Sequence, residues 1–238
     1  LARILAERRA RWEAAHPGKK YVEPKRPDVN DLPELPEGWV WATVDALTIA
    51  GPTNGLYLPK EKYGTGTPIL RIDDYQDFWS RTSAELQKVN ASASEVTKYS
   101  LSTGDLVINR VNSPSHLGKC LVVTERNLPS LFESNMMRLQ LSQFVSVGFI
   151  EVYLNSKEGR NRLIANAKWA VNQASINQAD VGSTLVPLPS IKEQHRIVTE
   201  LDRRLSIIQS TEQTLDANLA RAERLRQAVL GKAFRGEL

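Results

Sequence analysis

The sequence lacks the features on which several classes of protein depend. It has a single cysteine in 238 residues, which excludes an intramolecular disulfide and argues against a cysteine-rich zinc site. A reducing, cytoplasmic setting is the default for such a chain. No apolar run approaches the roughly 18–20 residues that a membrane-spanning helix needs. We therefore expect a cytoplasmic protein without a membrane segment.

Motifs of the common catalytic sites are also missing from the sequence. It has no Gly-rich phosphate loop of the P-loop type, and neither the Gly-rich cofactor loop nor the Asn/Asp-Pro-Pro-Tyr/Phe motif of adenine methyltransferases. Asp105 lies on a turn that would suit a nuclease, but no strand with Glu/Asp-x-Lys spacing comes after it. The three histidines are far apart, which indicates neither a metal site nor a Ser/His pair. We expect no catalytic residue and no metal in this chain.

The charge of the chain is unevenly distributed. Residues 31–190 carry 14 Lys and Arg against 16 Asp and Glu, whereas residues 1–30 carry eight against four and residues 191–238 nine against seven. The middle of the chain is therefore slightly acidic, and its net charge gives no support for nucleic-acid binding. Such binding would have to depend on local groups of side chains.

Three segments are predicted from the patterns of apolar residues and proline. Residues 1–30 read as the end of a helix over 1–15 and a Pro-rich, semi-rigid linker. Residues 31–189 form a strand-rich domain with strand candidates at 67–72, 106–110, 119–123 and 136–141 and short helices at 147–155 and 159–168. Residues 190–238 form one long helix, with Ser190 as its N-cap and Glu193 at the capping-box spacing. The fold class is therefore α+β.

The long helix carries a heptad pattern of apolar residues. Nine of the eleven seam positions are apolar, with Glu212 and Arg226 as the interruptions. A helix of this length cannot bury its stripe on one small domain, so we expect the seam to pack against a second helix as an antiparallel coiled coil. The alternative, which needs no partner, is that the helix lies across its own domain. The candidate helix–helix interface consists of Val198, Leu201, Leu205, Ile208, Leu215, Leu219, Ala222 and Val229.

Three groups of polar side chains are candidates for contact with DNA. Arginine suits guanine edges, amides suit adenine, and Ser and Lys suit phosphates. A solvated hairpin loop, a tight glycine turn and a helix-capping turn are the ordinary structural explanations for these groups. The aromatic residues Trp39, Trp41, Phe78, Trp79 and Trp169 are expected in the core. The candidate DNA contacts are Lys60, Lys62, Tyr63 and Arg71; then Asn109, Arg110, Asn112, Ser113, Ser115, His116 and Lys119; then Lys168 and Asn172.

Four stretches together resemble the specificity subunit of type I restriction–modification enzymes. They are LPEGWVW at 35–41, GDLVINR at 104–110 with Gly118 after it, the block of NQASIN at 172–177 with LVPLPSIKEQHRIV at 185–198, and LRQAVLGKAFRGEL at 225–238. A complete subunit of that family has two target-recognition domains and two conserved helices, whereas this chain has one of each. It therefore resembles the C-terminal half, and residues 1–15 resemble the tail of the first conserved helix.

The resemblance implies a non-catalytic role in reading DNA. The domain at 31–189 would read one half of a bipartite site, and the helix would set the spacing and dock the modification (methyltransferase) and restriction (motor–nuclease) subunits. Cofactors, namely S-adenosylmethionine, ATP and magnesium, would belong to those partner subunits, whose assembly would methylate adenine and cleave DNA. The helix would pair with the missing half or with a copy of itself. The alternative is a coiled-coil protein–protein adaptor with a globular head and no role in DNA binding.

Overall fold

The computed structural model describes residues 1–76, 79–171 and 173–237, and these have an α+β fold. The chain divides into two compact units, Leu1–His195 and Arg196–Leu238. The helices are α1 (Ala2–Ala15), α2 (Val44–Leu47), α3 (Ala93–Tyr99), α4 (Val147–Asn155), α5 (Lys157–Leu163), α6 (Gln178–Ser183) and α7 (Ile191–Phe234). The strands are β1 (Val40–Thr43), β2 (Thr48–Asn54), β3 (Tyr63–Leu70), β4 (Tyr75–Gln76), β5 (Trp79–Ser80), β6 (Lys88–Val89), β7 (Leu106–Asn109), β8 (Val111–Asn112), β9 (Cys120–Val122), β10 (Leu131–Phe132), β11 (Met136–Leu141), β12 (Lys168–Trp169), β13 (Ala174–Ser175) and β14 (Leu185–Leu188).

The predicted helix at the start of the chain is confirmed as α1, and it is part of the first unit. Ile4 is buried, and Arg8 fixes the helix to the domain. The Arg8 guanidinium donates to the Asp45 carboxylate at 2.7 Å, to the carbonyls of Asp45 and Thr48 at 3.1 Å, and to the Tyr21 hydroxyl at 2.6 Å. Hydrogen bonds between charged partners are the stronger kind, so residues 1–30 are anchored on the domain that follows them.

A four-stranded antiparallel sheet in the order β2-β11-β7-β9 forms the centre of the first unit. All four residues of β7 are buried, because this strand has a neighbour on each side and apolar side chains on both faces. The strands predicted at 106–110, 119–123 and 136–141 are confirmed in this sheet as β7, β9 and β11. The loop between β7 and β9 leaves from one end of this sheet.

A second sheet has the order β10-β3-β6, and β3 pairs with β10 in parallel. Its core consists of Leu56, Ile69, Val89 and Leu131. Leu70 and Phe132, the neighbours of Ile69 and Leu131 in the same two strands, belong instead to the cluster under the central sheet. Successive residues of a strand point to opposite faces, so this sheet contributes to two apolar clusters at once.

Helix α4 covers the exposed edge of β9 with polar side chains. The Asn155 side chain accepts from the Cys120 N–H and donates to the Cys120 carbonyl, both at 3.0 Å. The Glu151 carboxylate accepts from the Val122 N–H at 2.9 Å. These bonds take the place of a further strand, which protects an edge that would otherwise pair with another chain.

The short helix predicted at 159–168 is α5, and it begins and ends earlier than predicted. The Ser156 side chain accepts from the Gly159 N–H and so caps the helix at its start. Residues 168 and 169 are the strand β12, because they pair with β13. The Ser156 cap therefore places the start of α5 two residues before the predicted one.

The start of the long helix is confirmed at Ser190, whose side chain accepts from the Glu193 N–H at 3.3 Å. Gln194 is almost fully buried. Its side chain accepts from the Ser146 N–H at 2.8 Å and donates to the Pro189 carbonyl at 2.9 Å. The 44 residues of α7 give a rod of roughly 65 Å. In the part of the chain that the structure describes, no helix combines the length and apolar character that crossing a bilayer requires.

Candidate nucleic-acid interface

The loop between β7 and β9 is closed at its base by buried groups. Asn109 is fully buried, and its side chain accepts from the Tyr75 hydroxyl at 2.5 Å. The Asn109 N–H donates to the Lys119 carbonyl at 2.8 Å, and the Gly118 N–H donates to the Asn109 carbonyl at 2.9 Å. Lys119 is also buried. Asn109 and Lys119 were predicted as DNA contacts, and this is corrected: both hold the loop together inside the domain.

The tip of this loop is a cluster of hydroxyl groups around a histidine. The Ser113 and Ser115 hydroxyls lie 2.8 Å and 2.9 Å from Nδ1 of His116. Ser115 is exposed, whereas Ser113 and His116 are half-buried. The predicted contacts Ser113, Ser115 and His116 are thus brought together at the surface, where hydroxyl and imidazole groups can bind phosphate or base edges.

Arg160 of α5 supports the loop from behind. Its Nε donates to the Leu117 carbonyl at 3.0 Å, and its Nη2 donates to the Ser115 carbonyl at 2.5 Å. Gly118 has a φ of +76°. A Cβ there would lie 3.0 Å from Cγ2 of Ile164 and 3.1 Å from Cδ2 of Leu163. The loop therefore packs closely on α5, and its shape depends on Arg160, which no local sequence pattern marks.

Two groups that are far apart in sequence meet in a small sheet of the order β12-β13-β8. Strand β13 pairs with β8 at the start of the loop, and β12 pairs with β13. This arrangement brings exposed Lys168 to the same sheet as Asn112. Trp169, expected in the core, is 57% exposed. Asn172, another predicted contact, lies outside the described residues.

Arg110 lies beside a pocket of about 390 Å³ that Asn54, Asn177 and Gln178 also line. Its Nη1 donates to the Ser134 carbonyl at 3.1 Å. Its Nε is shielded and meets no hydrogen-bond partner among the described residues. Arg110 was predicted from the sequence as a DNA contact, whereas Asn54 was not. Asn54 was missed because β2 is distant from Arg110 along the chain.

The third predicted group is separate and is partly engaged in structural contacts. Lys60 and Lys62 are exposed on a 3-10 turn. Arg71 donates to Glu133 at 3.4 Å and to Gln87 at 3.0 Å, and its guanidinium lies 5.9 Å from the ring centre of Tyr63. These contacts leave the two lysines as the more accessible cations of the group.

Gly66, which belongs to the glycine loop of this group, has a structural reason to be glycine. Its φ is +106°, and a Cβ would lie 2.4 Å from the Val89 carbonyl oxygen. The sequence left two explanations open for the glycines of this loop, a tight turn and a close approach of the backbone to phosphate. The structure adds close packing against β6 as a reason for glycine at position 66, and the phosphate contact stays a prediction.

Two buried carboxylates of the domain, Asp105 and Glu133, are held by structural partners. Asp105 accepts from the Ser102 N–H and the Gln140 amide, at 2.9 Å and 2.8 Å. Burial raises the pKa of Glu133, although its bonds to the Ile72 N–H and Arg71 act in the opposite direction. Burial also raises the pKa of the Cys120 thiol well above its usual value, so the thiol is protonated at neutral pH. No cluster of three or more metal-ligating side chains occurs in the described ranges.

The apolar seam of the second unit is exposed on α7. Leu215 and Leu219 are 62% and 68% exposed. Leu225 and Leu230 are exposed as well and flank the interruption at Arg226, which widens the stripe beyond the predicted seam. The predicted seam residues in the exposed class are Leu205, Ile208, Leu215, Leu219, Ala222 and Val229.

Comparison with known proteins finds relatives that share one description, type I restriction enzyme specificity subunit, although no protein-family model matches the chain. The chain is 31% identical over 187 residues to the EcoKI specificity subunit of Escherichia coli, which covers 78% of this chain and 40% of that subunit. It is 30% identical over 203 residues to the StySPI specificity subunit of Salmonella potsdam, covering 84% of this chain and 43% of that one. The chain thus spans less than half the length of these relatives.

Solved structures share the fold. A structure of a type I R-M system superimposes with a TM-score of 0.65 at 23% identity, and the HsdS subunit from Thermoanaerobacter tengcongensis with a TM-score of 0.58 at 23% identity. Both matches cover all of this chain and 56% of the other. By sequence and by fold, the chain is a homologue of type I restriction enzyme specificity subunits, and its coverage of them fits one target-recognition domain followed by one long helix.

Proposed function

We propose that the chain recognises a DNA sequence, as one half of a type I specificity subunit that reads one half of a bipartite site. The observation that carries the proposal is the joining of the 110–116 loop and Lys168 in one sheet, in a homologue of specificity subunits. The pocket beside Arg110 extends this surface with amide groups.

The chemistry of these side chains suits base edges and phosphates. Arginine can bind guanine O6 and N7 together, and Asn or Gln can bind adenine N6 and N7. Hydroxyls and lysines bind phosphate oxygens and fix the register of the protein on the duplex. Because the domain is slightly acidic overall, its affinity for DNA must come from this local surface.

The remaining roles belong to partner chains. The long helix pairs in antiparallel fashion with the helix of another half or of a second copy, sets the distance between half-sites, and docks modification and restriction subunits in the cytoplasm. Those subunits hold S-adenosylmethionine, ATP and magnesium and perform methylation and cleavage. This chain binds no cofactor and performs no chemistry itself.

The test is salt-dependent binding of DNA by the full chain assembled with the modification subunits of its own system. A duplex selected by the complex from a randomised pool is compared with a shuffled duplex of the same composition. We expect the selected duplex to bind at least about 10³-fold more tightly, with affinity falling as salt rises. Equal binding of the two duplexes would refute the recognition role and favour the adaptor alternative.

A control variant distinguishes an effect on the DNA-binding surface from an effect on the fold. Ser115→Ala removes one hydroxyl from the exposed loop tip and should weaken binding of the selected duplex. Thr97→Ala removes a hydroxyl that bonds to the Ala93 carbonyl within α3 and should leave binding unchanged. If the two variants bind DNA alike, the loop tip is not part of the interface.

A further inference from the structure

The hairpin of β12 and β13 exposes large apolar side chains at a place where the fold does not require them. Trp169 is 57% exposed and Val171 is 96% exposed. The hairpin is tied back by a hydrogen bond from the Ala170 N–H to the Gln173 carbonyl at 2.8 Å. An indole and an isopropyl group that are both exposed to solvent on one hairpin indicate a surface that becomes covered when a partner binds.

The pairing of the strands determines which side chains share a face. Trp169 lies opposite Ala174, and Ala174 lies opposite Asn112. Directly paired residues of antiparallel strands point to the same face, so the indole and the Asn112 amide are on one face. Lys168, Ser175 and Val111 are paired in the same way and lie on the other face.

The polar groups on this sheet favour DNA as the partner over a protein. The Asn112 side chain orders the start of the loop and does not face outward: its oxygen accepts from the Ser113 N–H at 2.7 Å, and its Nδ2 is buried. The exposed cation of Lys168 suits the phosphates that border a groove, and the loop of Ser113 and Ser115 continues directly from β8.

The size of the hairpin fits a groove as well. Neighbouring strands lie about 4.8 Å apart, and the major groove of B-DNA, about 12 Å wide, admits a two-stranded ribbon. Proteins that place an apolar side chain between base pairs unstack one step and gain contact area in return. The exposed indole of Trp169 is a side chain of this kind.

We propose that the β12–β13 hairpin enters a groove of the target duplex and inserts Trp169 into one base step. The inference rests on the proposed function and adds to it a mode of recognition: the sequence at that step is read through how easily it unstacks. Flexible pyrimidine–purine steps such as TA and CA are the steps that unstack most readily.

The test uses the selected duplex with 2-aminopurine placed at successive positions of the half-site, since this base brightens when it is unstacked. We expect one position to brighten when the wild-type complex binds. Trp169→Ala should abolish that signal and weaken binding about 5- to 150-fold, the range for removal of an aromatic that stacks on a base. Trp169→Phe should retain part of both.

Trp79→Ala is the matched control. Trp79 is 53% exposed on a hairpin that pairs with no described strand of the β12-β13-β8 sheet. This variant should keep the 2-aminopurine signal and the affinity of the wild type. Equal losses in the two tryptophan variants would overturn the assignment to Trp169.

The remaining outcomes distinguish this inference from the proposed function. If the wild type prefers its selected duplex but no position brightens, the insertion is refuted and sequence recognition stands. If Trp169→Ala binds DNA normally but no longer retains the modification subunit in a pull-down, the hairpin is a protein contact and the inference fails. If the wild type does not distinguish the selected duplex from the shuffled one, both fail.

Discussion

The two units of the chain place their apolar side chains in opposite ways. In the first, Phe132 and Met136 are fully buried within one cluster. In the second, Leu215 and Leu219 are more than half exposed on a single helix. The first unit buries its core between its own strands and helices, whereas a single helix cannot bury its own apolar face. Apolar side chains therefore stabilise the fold in the first unit, whereas those of the second remain exposed and can pack against the proposed partner helix.

The largest effect should come from breaking the association. We expect Leu215→Glu combined with Leu219→Glu to abolish self-association in the absence of other subunits. Each buried leucine contributes about 1.5–3 kcal/mol, and four leave the interface of a symmetric pair, so the loss is on the order of 6–12 kcal/mol. Sedimentation at micromolar concentration measures it, and the thermal unfolding of the first unit should not change.

Gln213→Glu is the control for this pair of substitutions. Gln213 lies outside the apolar seam of α7 and is exposed, so its replacement adds a charge without touching the seam. The control should associate like the wild type. A wild-type chain that is already monomeric under these conditions would contradict the exposed stripe as a self-association surface.

The same substitution in each unit makes the comparison direct. Phe132→Ala should lower the free energy of unfolding by about 3–5 kcal/mol, because it leaves a cavity in the core. Phe234→Ala should change it by less than about 0.5 kcal/mol, because that side chain is 89% exposed. Chemical denaturation monitored by circular dichroism measures both. Similar losses in the two variants would show that Phe234 is buried in solution.

The elements that could be predicted from the sequence are those whose signals are local. The alternating pattern of β11, the apolar run of β7 and the serine cap of α7 lie within a few residues of the structure they specify. The heptads of α7 predicted a long helix, which is confirmed, and a partner for its apolar seam, which stays a prediction. Each of these signals depends on a period or a cap that is independent of the rest of the chain.

The candidate site could be predicted only in part because its geometry depends on distant pairings. Asn109 and Ser113 are four residues apart in one polar loop, but Asn109 is buried under the Tyr75 hydroxyl. Strand β13 pairs with β8 across some 60 residues, and no local pattern specifies that pairing. The exposure of Trp169 follows from it, and so it was missed by a rule that places aromatics in cores.

A smaller effect is expected from the arginine that shapes the loop. Arg160→Met removes the donors to the Ser115 and Leu117 carbonyls, which should cost about 1–2 kcal/mol of stability. Without these bonds the loop is less ordered in the free protein, and DNA binding must supply the free energy that orders it. A cost of about 1.4 kcal/mol lowers the affinity for the selected duplex about tenfold. Thermal unfolding and titration of labelled DNA measure the two quantities.

Arg162→Met on the same helix is the control for this prediction. Arg162 pairs with Glu158 and lies 4.8 Å from the ring centre of Trp41, away from the loop carbonyls. The Arg162→Met protein should be less stable than the wild type, but its affinity for DNA should not fall by a matching amount. If both variants lose DNA affinity in proportion to stability, Arg160 acts only on the fold.

The smallest effect decides which unit contacts phosphate. Lys168→Ala should leave stability unchanged and reduce the slope of log affinity against log salt by about 1, because one phosphate contact is lost. Lys88→Ala, also exposed but on β6, should leave the slope unchanged. Arg221→Ala tests the second unit, whose eight cations against six anions at 196–238 could bind DNA without any sequence preference. If Arg221→Ala lowers the slope and Lys168→Ala does not, the helix and not the domain holds the DNA backbone. The reverse result would show that the domain holds the DNA backbone. We expect this result, because a phosphate contact beside the reading loop fixes the register that base recognition needs.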